Sequence, residues 1–200
     1  MKENFRPFQP SNQKGSLYIK DQDVINETLI EACKTMSRPA QRQLYEYMAP
    51  KLYQTCKRYL KQQEDIEEAL ADAFYSIFTK LDQLKETGAF EAWARRIAVN
   101  ACLATLRKKG NMISYLEELP QGAAHFANPT GLGEKDLLKL LDTLPDGCRM
   151  VFNLFAIEGY SHKEIAAMLN ISEGTSKSQL NFSKTKLKTL VNQFYYLNEN

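Results

Sequence analysis

Three groups of side chains in this sequence have the types and spacing to do chemistry, and all three suit binding rather than bond-making. Near the C-terminus, Lys177, Asn181, Lys184 and Lys188 stand four, three and four residues apart, which on a helix is one stripe. Ser178 and Gln179 flank its start, and Thr175 precedes it. Amide and basic groups at the first turns of such a helix suit base edges in the major groove, and lysines further along suit phosphates. In mid-chain, Trp93, Arg96, Asn100 and Arg107 share one side of a second helix. A ring that stacks on bases, an amide for an unpaired base edge and guanidinium groups for the backbone are what a single strand requires. Asp65, Glu68 and Asp72 lie three and four apart and form an acidic row.

Each group has a plainer reading as well. A lysine stripe also suits a solvated face. Trp93 also suits a core anchor. Acids at a helix start also serve the helix dipole. For enzymatic chemistry the sequence offers no Gly-rich phosphate loop, no nucleophile–base pair and no paired carboxylates with a pocket signal, so we expect no enzyme. Four cysteines at least 23 residues apart and two histidines do not suggest a zinc site; neither metal nor cofactor is expected. The cysteines sit in apolar-periodic segments, as small buried residues of a reducing compartment do. No run of 18 apolar residues spans a membrane, and the first twenty residues lack a signal-peptide core. A cytoplasmic protein without membrane insertion is the expectation.

The elements that must position these groups are helical. Nine Gly and seven Pro in 200 residues argue against a turn-rich β protein, and no strand-like alternation exceeds four residues. Residues 1–22 are polar and read as a flexible arm. A bundle follows over residues 23–109. Pro39 is placed to open a helix, and Ile66, Ala69, Leu70, Ala73, Phe74, Ile77, Phe78 and Leu81 repeat at helical spacing. A fourth helix is expected from about Phe90 to Lys109. Residues 110–133, rich in Gly and Pro, read as a linker with a mean span of roughly 25–30 Å. The rest, 134–197, reads as a helix-turn-helix domain. Ser161 and Glu164 form a capping box, Asn170 suits a left-handed turn, and Ser172 caps the next helix. The fold class is therefore all-α, with two small helical domains joined by a linker.

The net charge of +2 conceals a reversal. Residues 61–91 hold eight acids and three bases, whereas residues 92–109 hold five bases and no acid. An acidic segment, read either as a docking face for a basic partner helix or as acids serving the helix start, thus precedes a basic one expected to meet nucleic acid.

With these residues in view, a resemblance is apparent. The runs DIEEALADAF (65–74) and FEAWARRIAVNACLATLRKK (90–109) resemble the second conserved region of bacterial sigma-70-type sigma factors. The run LPDGCRMVFNLFAIEGYSHKEIAAMLNISEGTSKSQL (144–180) resembles their fourth region. With only these two regions and a short linker, the layout is similar to the extracytoplasmic-function (ECF) subfamily. The resemblance implies a factor that binds core RNA polymerase and directs promoter recognition, DNA melting and initiation, with an anti-sigma factor as a further partner. It implies that Asp65, Glu67, Glu68, Asp72 and Phe74 face the polymerase clamp. It places Lys85, Thr87, Phe90, Trp93, Arg96, Asn100, Arg107 and Lys108 at the melted minus-ten strand. It places Thr175, Lys177, Ser178, Gln179, Asn181, Lys184 and Lys188 at the minus-thirty-five duplex.

The chain departs from the pattern in places. Ala69 and Ala71 replace Leu and Gln, Glu68 replaces Asp, and Ala104 stands where many members have Asp. Gln179 and Phe182 replace arginines, and Ser176 replaces a buried Val. The serine and glutamine variant resembles members from Bacteroidota. The competing reading is a stand-alone helix-turn-helix regulator with an N-terminal dimerisation or sensing bundle, which predicts duplex binding without polymerase.

Overall fold

Residues 25–109 and 140–198 are described in a computed structural model, with side chains as far as Asn192. The expected arm and linker lie outside the described residues. The chain divides into two compact units after Lys108. Among the described residues every regular element is helical.

Side chains at the helix ends set the boundaries of the first unit. Asn26 caps α1 (Glu27–Lys34), its Oδ1 accepting the Leu29 N–H at 2.9 Å. Helix α2 (Arg38–Lys57) has Pro39 in its first turn and continues through Pro50. Pro50 is exposed, so water can serve the carbonyl left without a donor. Helix α3 (Gln63–Thr79) begins with Glu64 and Asp65, which the dipole favours. It stops two residues short of the expected Leu81, which is nevertheless buried, in a 3-10 turn (Leu81–Gln83). A second such turn, Thr87–Ala89, leads into α4 (Phe90–Lys108).

The core of this unit is almost wholly apolar. Leu44, Met48, Leu52 and Cys56 of α2 meet Ile66, Leu70 and Ile77 of α3 and Val99, Cys102 and Leu103 of α4. Ala69 and Ala73 on α3, and Ala94 and Ala98 on α4, are fully buried; small residues at four-residue spacing let the two helices pack closely. All four cysteines are free and buried. Burial raises the Cys33 thiol pKa and pushes Cys148 up to about 11 against an opposing hydrogen bond with Ser183. Cys102 is raised by its hydrogen bond with Cys56 and by burial.

The second unit is built around a different interior. Helix α5 (Asp146–Phe152) runs into a π-helical turn, Asn153–Ile157. Helices α6 (His162–Leu169) and α7 (Glu173–Asn198) complete it. Leu144, Val151, Leu154, Ile165, Leu169, Leu180 and Leu190 supply apolar packing. Ser176, Gln179 and Ser183, three and four apart on α7, are buried too, as is Asn153. Ser183 Oγ reaches the carbonyls of Cys148 (3.0 Å) and Gln179 (2.8 Å). Arg149 is largely buried and forks to Asp142 (3.0 Å) and Asp146 (2.8 Å).

The turn of the helix-turn-helix has the expected chemistry. Ser161 and Glu164 close a capping box, Asn170 adopts φ 55° and ψ 48°, and Ser172 Oγ accepts the Thr175 N–H at 2.9 Å.

Candidate nucleic-acid and polymerase interfaces

Helix α7 turns its polar seam and leucines inward, so its other side is open. Lys177, Ser178, Asn181, Lys184 and Lys188 are all exposed there. Thr175 is half-buried, with its hydroxyl 2.9 Å from that of Ser172. Lys177 Nζ lies 3.7 Å from Glu173, an exposed pair too weak to restrain it. Lys184 Nζ sits 5.5 Å from the centroid of Phe155. Gln179 is the exception. At 1 % exposure it faces the interior, in line with Ser176 and Ser183, and cannot reach a duplex from there. Its assignment as a minus-thirty-five contact is corrected accordingly.

Arg96, Asn100, Arg107 and Lys108 are exposed along α4, and Trp93 is half-buried. The Trp93 ring lies 6.0 Å from that of Phe90, so the indole serves the core on one side and is open on the other. Phe90 is fully buried and is a core residue, not a minus-ten contact. Before α4, Lys85 is exposed and Thr87 half-buried.

One element at the base of α4 had no signal in the sequence. Tyr47 Oη and Lys51 Nζ each donate to Glu91 Oε1 at 2.8 Å, and Lys51 also donates to Tyr47 Oη at 2.7 Å. These bonds tie α2 to the first turn of α4. Burial disfavours the Glu91 carboxylate. Hydrogen bonds from Lys51 and Tyr47, with the charges of Lys51 and Arg95, outweigh that and hold it below the ordinary carboxylate range. Lys51 is partly desolvated, but the same partners raise it above the ordinary lysine value.

On α3, Glu68 and Asp72 are exposed on one face. Glu67 is half-buried and accepts from Gln63 Nε2 at 2.6 Å. Asp65 is turned in, at 8 % exposure, so the acidic row is shorter than its spacing implies. Phe74 is also corrected: it is buried between Tyr45 (4.5 Å) and Phe78 (6.0 Å) and presents nothing to a partner. Tyr75, the next residue, is 73 % exposed, seven residues from Glu68 and three from Asp72, and so shares their face. Its position on that face is legible in the helical spacing. Glu68 also lies 3.6 Å from Lys108 Nζ, so the acidic face of α3 adjoins the basic end of α4.

Two segments match known domains: residues 44–112 match Sigma-70 region 2, and residues 134–187 match Sigma-70, region 4. Over 175 residues the chain is 30% identical to the ECF RNA polymerase sigma factor SigM of Mycobacterium tuberculosis, covering 86% of each. The chain belongs to the ECF sigma factors. It is also 31% identical over 160 residues to SigE of Mycolicibacterium smegmatis, covering 75% of this chain but 61% of that one. The sigma-E factor of Escherichia coli is 28% identical over 130 residues, 58% of this chain and 68% of that protein. Among solved structures, CnrH in complex with the cytosolic domain of CnrY is 21% identical, covers 83% of this chain and 96% of that one, and has a TM-score of 0.46. In this sigma factor the region 2 match takes in α3, α4 and most of α2, and the region 4 match takes in α5, α6 and the first half of α7. Among the described residues no helix is long and apolar enough to cross a membrane.

Proposed function

We propose that this sigma factor docks on core RNA polymerase through the exposed face of α3, chiefly Glu68 and Asp72 with Glu67 beside them. Arg96, Asn100, Arg107 and Lys108, with the open side of Trp93 and with Lys85 and Thr87, hold the opened minus-ten strand. Thr175, Lys177, Ser178 and Asn181 read the minus-thirty-five duplex, and Lys184 and Lys188 neutralise its phosphates. The observation that carries this reading is the pairing of two exposed basic and amide rows, one on α4 and one on α7, each opposite its own core. Rows of this kind bind without bond-making, so the chain acts as an initiation factor rather than an enzyme, in the cytoplasm where a bacterial chromosome lies. With Gln179 turned inward, upstream binding is modest alone and gains from tethering on polymerase. An anti-sigma partner rests on family membership. A Bacteroidota origin rests on Ser176 and Gln179 alone, since the relatives found are mycobacterial and enterobacterial. The domain boundaries 23–109 and 134–197 are part of the same proposal.

The test is reconstitution with core polymerase. The double substitution Glu68→Lys and Asp72→Lys should weaken polymerase binding more than about tenfold with helix content unchanged, as several reversed charges at an interface do. Unchanged affinity removes α3 from the interface. Asn100→Ala should slow promoter opening more than it weakens the closed complex; equal losses would argue against capture of an unpaired base. Tight binding to palindromic duplex without polymerase would favour a stand-alone regulator.

A further inference from the structure

The second unit has one histidine among its described residues, and it is linked to the proposed recognition helix at two levels, directly at one and through Phe155 at the other. His162 opens α6, and its Nδ1 lies 2.8 Å from Ser176 Oγ in a hydrogen bond whose direction follows the imidazole tautomer. Ser176 is fully buried. The imidazole stacks on Phe155, with centroids 4.6 Å apart and planes 23° from parallel. Phe155 belongs to the π-helical turn, and its ring carries the Lys184 ammonium at 5.5 Å. Ser176 and Lys184 are eight residues apart on α7, which is about 12 Å along the axis and about 80° around it. One imidazole is thereby linked to two points of α7 that lie neither at one level nor on one line. Two such points fix a helix against both sliding and rolling.

We propose that His162 is a positioning residue for the upstream-duplex reader. It sets the roll of α7, and so the direction in which Lys177, Asn181 and Lys184 face DNA. This rests on the function proposed above. Ser176 supplies the second reason. A hydroxyl buried in that place requires a hydrogen-bond partner, and His162 provides one. A valine there would need none. Positions 162 and 176 are therefore a matched pair, in which the imidazole serves the buried hydroxyl. Ser176 is inside the unit, so the pair acts through α7 and not by contact with DNA.

A double-mutant cycle in the full chain, assembled with core polymerase, tests this. The probe is a linear duplex carrying only an upstream element, selected by the wild-type holoenzyme from a random pool. His162→Phe keeps the ring stack and removes the nitrogen, and Ser176→Val removes the hydroxyl. Each should weaken duplex binding about tenfold, the effect of leaving one buried polar group without its partner. The double variant, apolar at both positions, should return to within about threefold of wild type, since contacting residues are coupled. Phosphate ethylation interference should shift in the single variants and revert in the double, which a general loss of stability would not produce. Circular dichroism at the assay temperature identifies variants that retain native helix content. Additive losses in the double variant, or wild-type affinity in a folded His162→Phe, would overturn the inference and leave the functional reading standing. A wild-type holoenzyme that selects no upstream element would overturn both.

Discussion

The first unit keeps most of its polar chemistry outside and buries no polar row, whereas the second lines one face of α7 with buried polar side chains, two of which bond across to other helices. Between α2, α3 and α4 the buried side chains are mostly aliphatic; the buried hydroxyls of Thr55 and Thr105 bond to carbonyls of their own helices, and Asp65 alone of the acidic row is turned in. On the buried side of α7 the apolar contacts are interrupted by Ser176, Gln179 and Ser183, and elsewhere in the unit Asn153 is buried and the largely buried Arg149 pairs with two aspartates. The difference separates two ways of fixing a helix. An apolar core rewards burial in any orientation that fills space, at roughly 25 cal/mol per Å² of apolar surface. A seam of hydrogen-bonded hydroxyls rewards one register, because a rotated helix would leave Ser176 and Ser183 buried without partners. Stability suffices for the unit proposed to grip polymerase and an extended strand. The unit proposed to read duplex needs a defined roll.

The largest test of that contrast is in the apolar core. Leu103→Ala, at a fully buried position, should cost the first unit about 3 kcal/mol, as large-to-small changes in packed cores do. Urea unfolding should show the loss in that unit alone; an equal loss in the second unit would mean that the two are not separate. A smaller effect is expected in the polar interior. Arg149→Met removes charge-assisted bonds to two aspartates and should destabilise the second unit by about 2 kcal/mol. A neutral outcome would mean that the interior tolerates apolar replacement, and the contrast would weaken.

The smallest effect concerns Lys51. Its bond to Glu91 is more than one-third exposed on both sides, so Lys51→Met should cost only about 0.5 kcal/mol at pH 7. Folding lowers the Glu91 pKa, so that contribution is present above the ordinary carboxylate value of about 4.3 and fades as pH falls through the lower folded value. Folding raises the Lys51 pKa, so its contribution is present below the ordinary lysine value of about 10.4 and fades as pH rises through the higher folded value. Melting curves of wild type and variant should therefore converge in acid and in strong alkali, and differ between.

Legibility followed the range of the interaction. The capping box, the left-handed Asn170 and the Ser172 cap are contacts within four residues, and their spacing spells them out. The apolar repeat of α3 likewise marks its buried side, although Phe74 and Phe90 were drawn to the surface by resemblance when their own hydropathy belongs to the core. Gln179 was unreadable for the opposite reason. A polar residue beside Ser178 and Asn181 looks like part of the same outward stripe unless the seam is known. The Tyr47–Lys51–Glu91 bonds join residues 40 and 44 apart, and no local pattern announces them. Asp65 shows the same limit: helical spacing aligned it with Glu68 and Asp72, while packing turned it in.

The four enclosed sulfurs make the chain chemically quiet. Thiolate is the reactive form; burial holds Cys33 and Cys148 toward the protonated one, and the hydrogen bond with Cys56 together with burial does so for Cys102. A maleimide dye added to the folded protein thus meets no ready target. A cysteine introduced at the solvent-facing Met36, in the corner between α1 and α2, would carry a single label while the native sulfurs stayed untouched.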